Sequence, residues 1–195
     1  MSVTNRRVVE DDGADFYPTP AWATEALVAN EKFEGVILEP ACGDGSMAEV
    51  LKSSGYDLVC SDLHDHGYGL TGLNFLDTQA KYPNVITNPP YNIADDFAQK
   101  ALEVAEKKVA FLVRLAYMEG QERHRALFSK HPPTRVYVFS ERITFYKKGA
   151  EKKGNGTTAY CWVVWDKEDL SGKTELRWLA PIYKPKNTSA RKKKS

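Results

Sequence analysis

The chain has 195 residues, 42% hydrophobic and 27% charged, with a net charge of +1. That length and balance describe one globular domain around one core, and no apolar run approaches the length of a membrane span. Residues 1–13 are polar and acidic with no apolar stretch, which excludes a signal peptide and predicts a cytoplasmic protein.

In chain order, Phe16, Tyr17, Pro18, Thr19 and Pro20 introduce a helix opening at Ala21, with Pro20 near its first turn. Residues 36–40 read as a strand stopped by Pro40. Residues 46–53 read as a helix with Met47, Val50 and Leu51 on one face. Residues 57–62 and 84–88 are two further strands, the latter ended by Pro89 and Pro90. Residues 94–107 place Phe97, Ala101, Leu102 and Ala105 at helical spacing. Residues 108–114 form a nearly continuous apolar strand, as expected for a buried parallel one. A helix is expected over 120–129. Two strand-like runs, 135–140 and 160–165, follow with no helix between them and predict an antiparallel hairpin. Its connection, 147–156, is rich in Lys and Gly and should be exposed. Strand-helix alternation predicts a mostly parallel, doubly wound α/β sheet. The expected organisation is a flexible N-terminus (1–14), one domain (15–183) and a basic disordered tail (184–195).

The tail holds Lys184, Lys186, Arg191, Lys192, Lys193 and Lys194 and no acid. Lys147, Lys148, Lys152 and Lys153 form a second basic cluster. Such clusters suit nucleic-acid phosphates and equally suit a solubilising segment, and composition does not separate the two. Cys42, Cys60 and Cys161 are too few and scattered for a disulfide framework. His64 and His66 lie in a polar turn, where solvated histidines are the commoner case, so no metal site is expected.

Ligands of open α/β sheets sit at the carboxyl ends of the strands. The first strand ends in Glu39, Pro40, Ala41, Cys42, Gly43, Asp44 and Gly45 and feeds a helix. The glycines allow a tight turn and close approach of a ligand. The third glycine of a dinucleotide fingerprint and a phosphate-binding Lys are both missing. Glu39 and Asp44 favour a cationic ligand over a pyrophosphate, and Asp62, ending the second strand, is placed for ribose hydroxyls. S-adenosylmethionine, with a sulfonium, an ammonium and a ribose, fits better than NAD or ATP.

The Glu-Pro-x-x-Gly-x-Gly run resembles the cofactor loop of Rossmann-like amino-methyltransferases. The Phe16 to Pro20 segment resembles the one that, in nucleic-acid adenine methyltransferases, folds over the methionine end of the cofactor. Asn88-Pro89-Pro90-Tyr91 resembles the catalytic motif of enzymes that methylate exocyclic or amide nitrogens. The resemblance spans residues 15 to about 165. It implies a Rossmann-like methyltransferase fold with a mostly parallel seven-stranded sheet and a C-terminal antiparallel hairpin. It implies cofactor contacts from Phe16, Tyr17, Pro18, Thr19, Glu39, Pro40, Ala41, Gly43, Gly45, Asp62, Leu63 and Asn88. Asp77 falls where the family places the acceptor for the cofactor adenine amino group. Tyr91 and Phe145 are the implied walls for the target base, and Lys147, Lys148, Lys152 and Lys153 the implied contacts to the nucleic-acid backbone.

The residue types suit the chemistry. An adenine amino nitrogen attacks poorly until acceptors hold its N–H groups, and the Asn88 oxygen and Pro89 carbonyl are candidates for that role. Two prolines stiffen the turn. A target base must leave its stack to be reached, and Tyr91 offsets part of that cost by stacking. The expected activity is methylation of adenine N6 in DNA. The compact length resembles small phage-encoded methyltransferases, which would place the protein in a bacterial host's cytoplasm, and no separate recognition domain fits after Tyr91. RNA adenine, protein glutamine and a non-catalytic nucleic-acid-binding module on the same fold are the alternatives.

Overall fold

Pro20 takes the extended backbone of a helix-entry residue (φ −60°, ψ 132°), and helix α1 (Ala21–Asn30) starts at the next position. The computed structural model describes residues 17–146 and 156–183. Strand β1 (Ile37–Glu39) runs through the glycine loop into helix α2 (Ser46–Ser53). Strand β2 (Leu58–Cys60) is joined to β3 (Tyr82–Thr87) by a segment with one 3-10 turn (Phe75–Asp77) and no α-helix. A 3-10 turn (Tyr91–Ile93) enters helix α3 (Ala94–Val104), which passes directly into β4 (Ala105–Arg114). A further 3-10 turn (Leu115–Met118) leads to α4 (Gln121–Arg123), continued by a π-helical turn (His124–Phe128). Strands β5 (Arg135–Phe139), β6 (Tyr160–Asp166) and β7 (Glu175–Leu179) complete the described chain.

The seven strands form one sheet in the order β2-β1-β3-β4-β6-β5-β7. Strand β6 runs antiparallel to both its neighbours, β4 and β5, and every other adjacent pair is parallel. This is the mixed α/β sheet the sequence predicts, including the antiparallel β5–β6 hairpin. Two expectations are corrected. The helix expected through Lys107 ends at Val104, because residues 105–107 join the sheet, with Ala105 opposite Tyr82 and Lys108 opposite Asn84. Ladder pairing there overrides local helix propensity. No strand is expected from the sequence over Glu175–Leu179, where four of the five residues are exposed. Backbone pairing with β5 holds this edge strand, and Leu179 at its end is its one buried residue.

Alternation along β4 sends Val109, Phe111 and Val113 to one face and Ala110 and Leu112 to the other, and all five are at most 1% exposed. The first face packs on α3 through Phe97, Ala101 and Leu102. The second packs on α1 and α2 through Trp22, Leu27, Met47 and Leu51. Each Val, Leu, Met or Phe among them contributes about 1.5–3 kcal/mol on burial. Trp162 of β6 donates its indole N–H to the Ala23 carbonyl at 2.8 Å, tying α1 to the middle of the sheet. At the amino end of β4, buried Glu31 accepts from Arg135, from Lys108 at 3.1 Å and from the Tyr137 hydroxyl at 2.8 Å. Arg135 and Lys108 also reach Asp166, at 2.8 and 3.2 Å. This cluster pins the end of α1 to β4, β5 and β6.

Candidate active site

Strands β1 to β4 are parallel, so their carboxyl ends share one edge of the sheet. Strand order reverses between β1 and β3, the position where open α/β sheets form a ligand crevice. Glu39 ends β1, Asp62 lies two residues beyond β2, Asn88 follows β3, and Arg114 ends β4.

The loop after β1 turns through Gly43 and Gly45, at φ 54° and 82°, a region favourable to glycine alone. The Gly43 N–H donates to Asp62 Oδ2 at 2.9 Å, and the His64 N–H donates to Asp62 Oδ1 at 2.9 Å. Asp62 is thus fixed against the glycine loop, and each carboxylate oxygen retains acceptor capacity for a hydroxyl. Asp44 accepts from the backbone N–H and hydroxyl of Ser46, at 3.1 and 2.6 Å, and so serves the start of α2.

Glu39 is 2% exposed, and its Oε2 has no hydrogen-bond partner. Burial, reinforced by Asp62 and Asp44, holds its carboxyl well above the usual carboxylate range. A cationic group brought beside it would supply the missing partner, whereas a pyrophosphate would be repelled. Pro40 is buried and Ala41 half-buried where the loop leaves β1. Beyond β2, the Asp62 N–H donates to the Leu70 carbonyl, and the Leu73 N–H to the Asp62 carbonyl, at 2.9 and 3.1 Å. Leu63, Leu70 and Leu73 are all largely exposed around that junction. Asp77, exposed in the 3-10 turn, accepts from Asn74 Nδ2 at 2.9 Å.

At the exit of β3, Asn88 Nδ2 donates to Thr19 Oγ1 at 3.1 Å. This bond joins two predicted site segments that lie far apart in sequence, and Thr19 itself is buried. Tyr17 and Pro18 beside it are half-buried. With its nitrogen engaged, Asn88 keeps its Oδ1 as a buried acceptor with no partner. Such an atom costs about 1–3 kcal/mol in a folded protein and calls for a reason. Pro89 is buried and Pro90 exposed.

Tyr91 opens the next turn, half-buried. Its ring centroid lies 6.3 Å from that of Tyr160, and Phe145 lies 5.0 Å from the same ring. The two predicted base-stacking residues are therefore brought together through Tyr160. The Arg114 guanidinium sits 5.0 Å from the Tyr91 centroid. Burial, then neighbouring Tyr160, pushes the Tyr91 phenol far up, so it acts as a neutral group.

Tyr160, Arg114 and Tyr68 are not singled out as site residues by sequence. The Tyr68 ring covers Gly45 so closely that a Cβ there would lie 2.4 Å from it. Its hydroxyl donates to Glu49 at 2.8 Å and accepts from Lys52 at 2.7 Å, both on α2. The available signal is Gly67-Tyr68-Gly69, with both glycines at positive φ. Phe16, Lys147, Lys148, Lys152, Lys153 and the tail lie outside the described residues, as do residues 1–14. His64 and His66 lie with ring centroids 6.1 Å apart, and among the described residues no group of three or more His, Cys, Asp or Glu could hold a metal ion. No helix of the described residues is long and apolar enough to cross a membrane.

No protein-family model matches the sequence, and no curated protein does. Solved structures match over most of the chain. A Listeria monocytogenes protein assigned to the class I S-adenosylmethionine-dependent methyltransferases is 16% identical, with TM-score 0.55, over 82% of this chain and 62% of that one. The chain has a methyltransferase fold. An assigned RNA methyltransferase from Pyrococcus horikoshii shares this methyltransferase fold at TM-score 0.60 and 14% identity, over 78% of this chain and 88% of that one. The modification subunit of an assigned type I restriction enzyme from Vibrio vulnificus matches at TM-score 0.59 and 14% identity, over 91% of this chain and 49% of that one. The chain thus spans less than two thirds of the Listeria protein and about half of the Vibrio subunit.

Proposed function

We propose that the chain transfers a methyl group from S-adenosylmethionine to the exocyclic N6 amino group of adenine in DNA. The observation that carries this reading is the Asn88 side chain, anchored through its nitrogen on Thr19 and offering a buried, unpartnered oxygen at the carboxyl end of β3. An amino nitrogen about to gain a methyl group needs an acceptor there. The Asn88 oxygen and the Pro89 carbonyl accept its two N–H groups and stabilise the positive charge developing on nitrogen. Pro89 and Pro90 hold those acceptors in place, so little reorganisation accompanies the reaction. Tyr91 and Phe145 stack on the displaced base. The methylated ammonium loses its proton readily, so no strong base is required.

The residues around the glycine loop fit the cofactor. Glu39, buried and with its Oε2 unpartnered, pairs with a cationic group, and Asp62 accepts from the ribose hydroxyls. Asp77 accepts from the adenine amino group, and Leu63 packs beside that ring. Phe16, Tyr17, Pro18 and Thr19 cover the methionine end, while Pro40, Ala41, Gly43 and Gly45 form the floor. S-adenosylmethionine, when bound, supplies an electrophilic methyl group on its sulfonium.

The Vibrio neighbour is a restriction-enzyme modification subunit, which supports DNA as the substrate, and the Pyrococcus neighbour is an assigned RNA methyltransferase, which keeps RNA as the second arm of the test. Lys147, Lys148, Lys152, Lys153 and the basic tail supply phosphate contacts in either case. The test is transfer of radiolabelled methyl groups from S-adenosylmethionine to duplex DNA, single-stranded DNA and RNA. Label in DNA that disappears with Asn88→Ala supports the proposal. Label confined to RNA overturns the substrate, and cofactor binding without transfer to either overturns the reaction.

A further inference from the structure

Beside the Asn88 to Tyr91 turn, the carboxyl end of β4 opens into a cleft of about 510 Å³. That volume falls within the range of sites that hold small ligands. Leu115, Ala116, Met118 and Ala159 give it apolar walls, and Arg114 and Glu119 are its charged groups. The walls are fixed. The Leu115 N–H donates to the Ala159 carbonyl at 2.8 Å, extending the β4–β6 ladder beyond the Arg114–Tyr160 pair. Arg123 donates to the Tyr117 and Glu119 carbonyls at 2.8 and 2.7 Å, binds Asp95 of α3 at 2.6 Å, and stacks 4.0 Å from the Tyr117 centroid. One guanidinium thus holds the turn that carries Glu119.

Arg114 and Glu119 are themselves exposed, and neither has an ion-pair partner among the described residues. Arg114 links the cleft to the candidate site, since its guanidinium lies over the Tyr91 ring. Apolar walls with one cation and one anion suit a nucleobase attached to a phosphate. The guanidinium matches phosphate oxygens, and the carboxylate matches an exocyclic amino group. Glu119 would repel a phosphate, so the two charges also set the direction in which a nucleotide enters.

We infer that this cleft is a second nucleotide subsite, which rests on the DNA-adenine reading. It receives the nucleotide adjacent to the target adenine. Arg114 binds the phosphate between them, and Glu119 accepts from an amino group of the neighbouring base. Thymine, which lacks such a group, is the disfavoured neighbour.

The test uses the full-length protein and single-stranded oligonucleotides that hold a single adenine, with cytosine, guanine and thymine placed in turn on each side. The wild type should disfavour thymine on one side roughly tenfold in kcat/KM, a typical discrimination for one base contact. Glu119→Ala should flatten that preference. Arg114→Ala should raise KM for DNA roughly tenfold and reduce its salt dependence, with partial recovery in Arg114→Lys. An S-adenosylmethionine titration matching the wild type reports that each variant is folded. A flanking preference that survives Glu119→Ala, or a KM untouched by Arg114→Ala, overturns the subsite alone. Methylation indifferent to both neighbours does the same. Absence of product on every nucleic acid overturns the DNA reading together with the subsite.

Discussion

Asn88→Ala removes one hydrogen bond, from Nδ2 to Thr19 Oγ1, and one buried acceptor that has no partner. The lost bond and the buried Thr19 hydroxyl it leaves without a donor together cost about 1–3 kcal/mol, and removal of the orphan oxygen returns about 1–3 kcal/mol. The two offset, so the net effect is within about 1 kcal/mol of neutral, and each kcal/mol moves Tm by roughly 2–4 °C in a domain of this size. Turnover behaves differently. Deleting one preorganised hydrogen-bonding group aimed at developing charge lowers kcat by roughly 10²–10³. The variant should therefore melt within a few degrees of the wild type, bind S-adenosylmethionine within a few-fold, and transfer methyl groups at least a hundredfold more slowly. Scanning fluorimetry and single-turnover methyl transfer measure both. A fall in Tm beyond roughly 4 °C, with kcat within tenfold of wild type, would refute the reasoning, because Asn88 would then be a structural residue.

Glu39 has a folded-state pKa raised above its ordinary value of 4.5, so its stabilising contribution is complete below that value and is lost as pH rises through the folded-state pKa. Glu39→Gln should remove this loss, giving a Tm that falls less than the wild type's as pH rises across that window, together with weaker S-adenosylmethionine binding by calorimetry. Gly45→Ala combines a φ of 82° with a Cβ 2.4 Å from the Tyr68 ring, and should destabilise the fold by about 1–3 kcal/mol in urea titration. Adding Tyr68→Ala should recover the steric part and leave the backbone strain. Glu31→Ala leaves Arg135 and Lys108 without their buried acid and should cost about 3 kcal/mol in the same assay.

Legibility of the fold followed the range of the interactions. Strand β4 was readable because residues 109–113 are all apolar, the mark of a strand buried on both faces of the sheet. The glycine loop, Asp62 and the Asn88 turn were readable because their chemistry lies in short runs at strand ends. Residues 105–107 were not, since they favour a helix locally and become strand through pairing with β3. Strand β7 was hidden because its stability comes from backbone bonds to β5, which side chains do not encode. Tyr68 and the Glu31 cluster depend on contacts between distant segments that no local pattern announces. The Thr19–Asn88 bond has the same character, although both residues were singled out separately.

The most direct test is nucleoside mass spectrometry after incubation of the protein and S-adenosylmethionine with unmethylated duplex DNA, single-stranded DNA, RNA and a release-factor domain, with Asn88→Ala in parallel. The account predicts N6-methyladenine in DNA with the wild type and its absence with the variant. Methyl groups found only on RNA or on glutamine, or equal product from the variant, would contradict it.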